Sequence, residues 1–169
     1  VPSGFVTRSG MNMMLDNKVF KFTGVNDFSL TGCHTGTIAT VAQCDQLMGN
    51  LRPKSVIRTW AFSHSNSAGI ARVIERANYW GHKIILVLHE GAGYCSSPGY
   101  NNAWYQSGYT GAYFTWIRTI VPIYKDNPAV IWEISNEPGQ AGGITITETE
   151  MKNFLGNTAE LIKSLDSNH

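Results

Sequence analysis

The stretch Val130-Ile131-Trp132-Glu133-Ile134-Ser135-Asn136-Glu137-Pro138 changes character in its middle. Its first half reads as a core strand, and its second half is a polar tripeptide closed by a proline. A strand that delivers a carboxylate to its C-terminal end is the unit from which the rest of the chain is read. Two similar strands precede it, Val56-Ile57-Arg58-Thr59-Trp60 and Ile84-Ile85-Leu86-Val87-Leu88. An earlier one is expected at Val19-Phe20-Lys21-Phe22, after a small β-hairpin made of Phe5-Val6-Thr7, Met11 to Leu15 and an Asp16-Asn17 turn.

Helical patterns lie between and after these strands. Ile38, Val41, Met48 and Leu51 share one face, as do Ile70, Val73, Ile74, Ala77 and Trp80, where Gly81 ends the run. Tyr113, Phe114, Ile117, Ile120, Val121 and Tyr124 mark a third helix, in which Pro122 is expected to kink or restart the last turn. Thr147-Glu148-Thr149-Glu150 is a capping box, followed by Met151, Phe154, Leu155, Leu161, Ile162 and Leu165 at helical spacing. The strands begin near residues 20, 56, 84 and 129, which brackets the roughly 31 residues per unit of an eight-unit barrel of about 250 residues. The expected fold is therefore α/β, the first four βα units of a TIM (β/α)8 barrel behind an N-terminal β-hairpin, with residues 1–169 forming one partial domain. A half barrel leaves its outer strand edges unpaired, so a continuing chain, a second chain or a copy of itself is expected to complete it.

Composition narrows the function. The chain has 169 residues, 43% hydrophobic and 15% charged, with a formal charge of +1, and contains neither a basic run nor an apolar stretch of membrane-spanning length. Nucleic-acid and membrane partners are not expected. Five Trp, seven Tyr and seven Phe suit an extracellular enzyme or a sugar-binding surface. The chain opens Val1-Pro2-Ser3-Gly4, as a processed mature protein or an excised fragment does. Cys33, Cys44 and Cys95 match no zinc spacing; a Cys33–Cys44 disulfide closing a small loop is one expectation, with Cys95 left over. Neither a metal nor a cofactor is expected.

Barrel chemistry sits at the C-terminal ends of the strands. There the sequence places Asn26 and Asp27, Arg58 and Trp60, His89 and Glu90, and Asn136 and Glu137. A carboxyl group in a partly dry barrel mouth has its ionised form disfavoured, which suits Glu137 to protonating a leaving oxygen. Glu133 stands four residues earlier, about 13 Å deeper at about 3.3 Å per residue, and reads as a structural group needing an Arg or other donors. Glu90 and Asp27 are the other carboxylates near the mouth, without a feature that marks either as a nucleophile. Trp60, Phe62, Tyr94, Tyr100, Trp104 and Tyr105 offer either stacking faces for sugar rings or loop anchors.

These residues resemble a known family. Val130 to Pro138 is similar to the fourth-strand signature of clan A glycoside hydrolases, and Tyr124-Lys125-Asp126-Asn127-Pro128-Ala129 resembles the lead-in found in family 5. Phe5-Val6-Thr7-Arg8-Ser9-Gly10, Leu15-Asp16 and Phe22-Thr23-Gly24-Val25-Asn26 resemble the start of that family's endo-β-mannanases and cellulases. The resemblance implies a (β/α)8-barrel enzyme that hydrolyses β-1,4 glycans with retention; a secreted, extracellular location is expected alongside it. By position it implies that Glu137 is the acid/base and that Asn136 contacts the sugar 2-hydroxyl. It makes Arg58 the arginine near the nucleophile and His89 the third-strand histidine of the site, and Trp60 and Trp104 join the substrate-binding set. The family's nucleophilic Glu, on the seventh strand, has no counterpart in these residues. The expected partner is a polysaccharide or oligosaccharide. The competing expectations are a non-catalytic carbohydrate-binding remnant and a structural protein that kept the scaffold.

Overall fold

The computed structural model describes residues 3–33, 36–95, 100–139 and 143–169. The chain begins with an antiparallel sheet, β1 (Val6–Ser9), β2 (Asn12–Leu15) and β3 (Lys18–Val19), in that order. Asp16 (φ 49°) and Asn17 (φ 63°) both take left-handed backbone in the two-residue turn between β2 and β3, which matches the twist of the strands they join.

Four parallel strands follow in sequential order: β4 (Gly24–Asn26), β5 (Val56–Trp60), β6 (Lys83–Val87) and β7 (Val130–Glu133). The expected strand at Val19 to Phe22 is not the first of this sheet. Lys18–Val19 completes the antiparallel sheet, and the parallel pairing starts at Gly24, where a Cβ would lie 2.0 Å from the Val56 carbonyl oxygen. The close approach of the two backbones, rather than hydrophobic alternation, decides the start of the strand.

The helices are α1 (Val41–Gly49), α2 (Ser67–Trp80), α3 (Asn102–Gln106), α4 (Ala112–Tyr124) and α5 (Glu148–Leu165). Capping boxes Thr40/Gln43 and Thr147/Glu150 start α1 and α5, and Gly81 at φ 70° ends α2. Helix α4 runs through Pro122 and ends two residues later at Tyr124; the proline supplies no N–H for the Arg118 carbonyl one turn earlier, so the helix loses one i→i−4 bond in its last turn. The short α3 has no apolar stripe of its own and was not expected from the sequence.

Strand alternation divides the side chains between two faces. The row Val25, Ile57, Ile84 and Val130 packs with Cys44 and Met48 of α1, Ile70 and Val73 of α2, Ile117 of α4 and Phe154 and Ile162 of α5. Thus all four long helices cover the same face. An open doubly wound sheet puts helices on both faces, so sequential strand order with single-sided helices identifies four successive units of a barrel wall. The opposite face carries the row Asn26, Arg58, Ile85 and Ile131, then Trp60, Val87 and Glu133. Arg58, Ile85, Ile131 and Glu133 on this concave side are only half-buried. Lys83 Nζ ties the antiparallel sheet to the lower end of the wall by donating to Gly4 O (2.6 Å) and Pro128 O (2.8 Å). Among the described residues, no helix is long and apolar enough to cross a membrane.

The disulfide differs from the expected one. Cys33 is bonded to Cys95, and Cys44 is a free, buried thiol in α1. Cys44 lies on the core face of its helix, whereas Cys33 and Cys95 belong to loops that meet above the end of β5 beside Trp60 and Phe62.

Candidate active site

A cleft of about 270 Å³ lies at the C-terminal ends of the parallel strands, lined by Asn26, Phe28, Trp60, Glu90, Tyr94, Cys95, Asn136 and Glu137. Beyond β7 the pairing continues as a single bridge between Glu90 and Asn136, in which Asn136 N donates to His89 O (2.8 Å) and Gly91 N to Asn136 O (2.9 Å). The next residue, Glu137, takes left-handed backbone at φ 41°, a conformation that a non-glycine residue adopts only when its neighbours impose it. Two phenols help impose it. Tyr113 Oη donates to Ile134 O (2.8 Å), and Tyr105 Oη, at the end of the unexpected α3, accepts from Gly139 N (2.9 Å). Burial pushes both phenols above their ordinary range, so each stays protonated.

The Glu137 side chain is exposed and makes no hydrogen bond with another described residue. The dry mouth expected around it is therefore not built by these strands alone. Beneath it lies a network of fixed partners. Arg58 holds Glu133 through both carboxylate oxygens, Nε to Oε2 at 2.7 Å and Nη2 to Oε1, while Nη1 reaches Asn26 Oδ1 (3.1 Å) and Nη2 also reaches Asn136 Oδ1 (3.1 Å). Glu133 is thus the structural carboxylate, but it is not remote from the mouth, because one guanidinium nitrogen spans it and Asn136. The same guanidinium sits 4.8 Å above the Trp60 ring.

The other two carboxylates considered from sequence are occupied. Asp27 Oδ1 caps the short 3-10 turn Phe28–Thr31, accepting from Ser29 N (2.9 Å) and Ser29 Oγ (2.6 Å). Glu90 is 1% exposed and accepts from Ala92 N (3.1 Å), Tyr94 N (3.0 Å) and Asn136 Nδ2 (3.1 Å).

The structure separates the remaining sequence candidates. Trp60 and Tyr94 line the cleft with Glu137, and Tyr94 is 58% exposed. His89 and Trp104 do not line it. They stack on each other (4.3 Å between centroids, 13° between planes) in an adjoining cavity of about 470 Å³ that also takes Phe62 and Tyr100 and meets the cleft at Glu90. His89 is 3% exposed, its Nε2 has no partner among the described residues, and burial lowers its pKa to about 3. Tyr105 is wholly buried as an anchor. Phe28 was missed: it follows the first parallel strand, but only the turn capped by Asp27 brings it to the cleft. Glu90 was seen only as a spare carboxylate; its partners are backbone amides, which leave no trace in a sequence.

Comparison with known proteins gives a consistent set of likenesses. A family model described as Cellulase (glycosyl hydrolase family 5) matches residues 41–169. The probable mannan endo-1,4-beta-mannosidase A of Aspergillus flavus is 25% identical over 210 residues, covering 99% of this chain and 51% of its own length. The mannan endo-1,4-beta-mannosidase F of Aspergillus fumigatus is 27% identical over 212 residues, covering 100% of this chain and 47% of its own. Among solved structures, the endo-1,4-beta-mannanase from Rhizomucor miehei superposes with a TM-score of 0.80 at 22% identity, over 98% of this chain and 59% of that one. The beta-1,4-D-mannanase from Cryptopygus antarcticus gives 0.69 at 16% identity, over 97% and 59%. The chain spans about half the length of the curated relatives it matches.

Proposed function

The chain belongs to glycosyl hydrolase family 5, and from that premise we propose that it carries the acid/base side of a retaining endo-β-1,4-glycanase, acting on a mannan in preference to cellulose. The substrate preference is supported by the names of the relatives, which are mannan endo-1,4-beta-mannosidases. The observation that carries the mechanism is Glu137: an exposed carboxyl on a constrained turn, over a cleft whose floor is the Arg58–Asn136–Glu90 network. In the first step the Glu137 carboxyl gives its proton to the glycosidic oxygen as the bond to the anomeric carbon breaks and a glycosyl–carboxylate ester forms. In the second its carboxylate takes a proton from the water that hydrolyses that ester.

The nucleophile of this scheme must stand about 5 to 5.5 Å from Glu137. Asp27, Glu90 and Glu133 are each held by other partners, so we assign it to protein outside these 169 residues, in further βα units that extend the wall from the outer strands β4 and β7 and close it over the concave face. Such units would also withdraw Glu137 from solvent. Asn136 has the position to contact the sugar 2-hydroxyl, Arg58 to orient Asn136 and face the nucleophile, and Trp60 and Tyr94 to line the groove. His89 and Trp104 have positions to meet sugar units only in the adjoining cavity. A Cys33–Cys95 disulfide supports an oxidising, extracellular setting.

The same occupied carboxylates favour a second reading for the 169 residues by themselves: glycan binding without cleavage. The two readings separate in one experiment. The longer protein containing this chain should release reducing ends from mannan, and its Glu137→Gln variant should lose about 10²- to 10⁴-fold in kcat; residues 1–169 alone should bind mannooligosaccharides by calorimetry and release none. Undiminished hydrolysis by Glu137→Gln would remove Glu137 from the mechanism.

A further inference from the structure

Glu90 is a carboxylate buried to 1% exposure, with no cation among its hydrogen-bond partners. Burying such a charge is costly unless fixed dipoles replace its water, and here three N–H groups do so. Two are the backbone amides of Ala92 and Tyr94, which fold the loop after β6 around the carboxylate. The third is the side-chain amide of Asn136.

That third bond has a chemical consequence. Asn136 Oδ1 accepts from Arg58 Nη2 and Asn136 Nδ2 donates to Glu90 Oε1, each at 3.1 Å. Rotating the amide by half a turn would set its NH2 against the guanidinium and its oxygen against the carboxylate, so the two flanking charges permit one orientation only. In that orientation one N–H of Asn136 remains uncommitted in the cleft, and the group it can meet is a hydroxyl oxygen acting as acceptor. We infer that Glu90 is a positioning residue: with Arg58 it locks the Asn136 amide so that its spare N–H is presented to a hydroxyl of the bound sugar. The same carboxylate seats Tyr94 at the groove. The inference rests on the reading of Asn136 as the contact to the 2-hydroxyl.

The test uses the longer protein containing this chain and two aryl β-glycosides that differ only in having or lacking the 2-hydroxyl on the ring being cleaved. The parent enzyme should lose about tenfold or more in kcat/KM when the hydroxyl is removed, the value of a hydrogen bond made at the transition state. Glu90→Met keeps the buried volume but offers no acceptor; its penalty for removing the hydroxyl should shrink to less than about threefold, as should that of Asn136→Ala. Glu90→Gln keeps an acceptor oxygen at the Oε1 position for Ala92 N and Asn136 Nδ2, while its NH2 meets Tyr94 N donor to donor, so it should restore the larger penalty even though the rate on both glycosides falls. A role in folding alone would lower the rate on both glycosides equally. Should Glu90→Met be insoluble, Glu90→Gln decides: with its oxygen at the Oε1 position it must retain the parent's discrimination. An undiminished penalty in Glu90→Met, or a lost one in Glu90→Gln, overturns the positioning role. A parent that ignores the 2-hydroxyl overturns the Asn136 reading, and the inference with it.

Discussion

Gly91 lies against the backbone of Glu137. Its amide donates to Asn136 O at 2.9 Å, and a Cβ on it would stand 2.3 Å from the Glu137 carbonyl oxygen and 2.7 Å from Pro138 Cα. Main-chain atoms cannot swing aside as the end of a side chain can, so Gly91 sets the distance between the loops after β6 and β7. On the proposed acid/base role of Glu137, Gly91→Ala is expected to displace its turn and lower kcat of the proposed longer enzyme by about 100-fold, the cost of misplacing a reacting group by roughly an ångström. The accompanying loss of stability should be about 1 to 3 kcal/mol, as for overpacking elsewhere. Steady-state kinetics and urea denaturation on the same preparation check both parts; an unchanged kcat would mean that the turn tolerates the shift.

Arg58 and Glu133 form the two-pronged pair that supports the cleft floor, with side chains 23% and 31% exposed. Partial exposure places the pair between surface bridges and buried ones, so removing one partner should cost about 1 to 3 kcal/mol. Arg58→Met and Glu133→Gln are each expected to destabilise by that amount, and the double variant by less than their sum. A thermodynamic cycle from denaturant midpoints measures the coupling. Arg58→Lys cannot reproduce the two-pronged geometry and should recover little of it. Strict additivity would show that the two residues act independently.

The Cys33–Cys95 disulfide joins residues 62 positions apart. A loop of that length restricts the unfolded chain by about 4 kcal/mol in the chain-entropy picture, an upper value, since measured disulfides contribute about 2 to 4 kcal/mol. The double variant Cys33→Ser/Cys95→Ser should lose stability on that scale. Cys44, buried in the core with its pKa raised chiefly by burial, should stay unlabelled by a thiol reagent until the chain unfolds. Labelling of Cys95 or Cys33 in the native, unreduced protein would contradict the pairing, and labelling of Cys44 would contradict its burial.

The elements that the sequence made legible were those whose signal is periodic or capped. The apolar runs of β5, β6 and β7, the stripe of α2 and the capping box of α5 each appear where the spacing predicts. The first parallel strand was misplaced because Val19 to Phe22 has more β-forming side chains than Gly24-Val25-Asn26, while the pairing depends on a glycine that lets two backbones meet. Helix α3 was invisible for a related reason: its value lies in Tyr105, whose hydroxyl accepts from Gly139 N across 34 residues. At the site, Asn136, Glu137 and Trp60, read from their strand-end positions, line one cleft, with Arg58 bonded to Asn136 beneath them. It could not distinguish His89 from Glu90, since neighbouring residues at a strand end face opposite sides and a continued bridge decides which faces the cleft.

His89 makes that burial measurable. It is enclosed by the rings of Tyr100, Trp104, Tyr105, Tyr113 and Phe154, and burial lowers its pKa from 6.5 to about 3. Because the folded value lies below the unfolded one, the unfolded chain takes up the proton first as pH falls. The contribution to stability is therefore whole above about pH 6.5 and is lost progressively between there and about pH 3, with a slope that approaches about 1.4 kcal/mol per pH unit. His89→Phe keeps an aromatic ring in the stack and removes the titration. Urea midpoints taken from pH 8 to pH 4 should fall more steeply below about pH 6.5 for the parent than for His89→Phe, and the two curves should run parallel above about pH 7. Carboxylates that titrate near pH 4 affect both proteins alike and cancel in the difference. Parallel curves throughout would place His89 in contact with water, and the aromatic enclosure would be wrong.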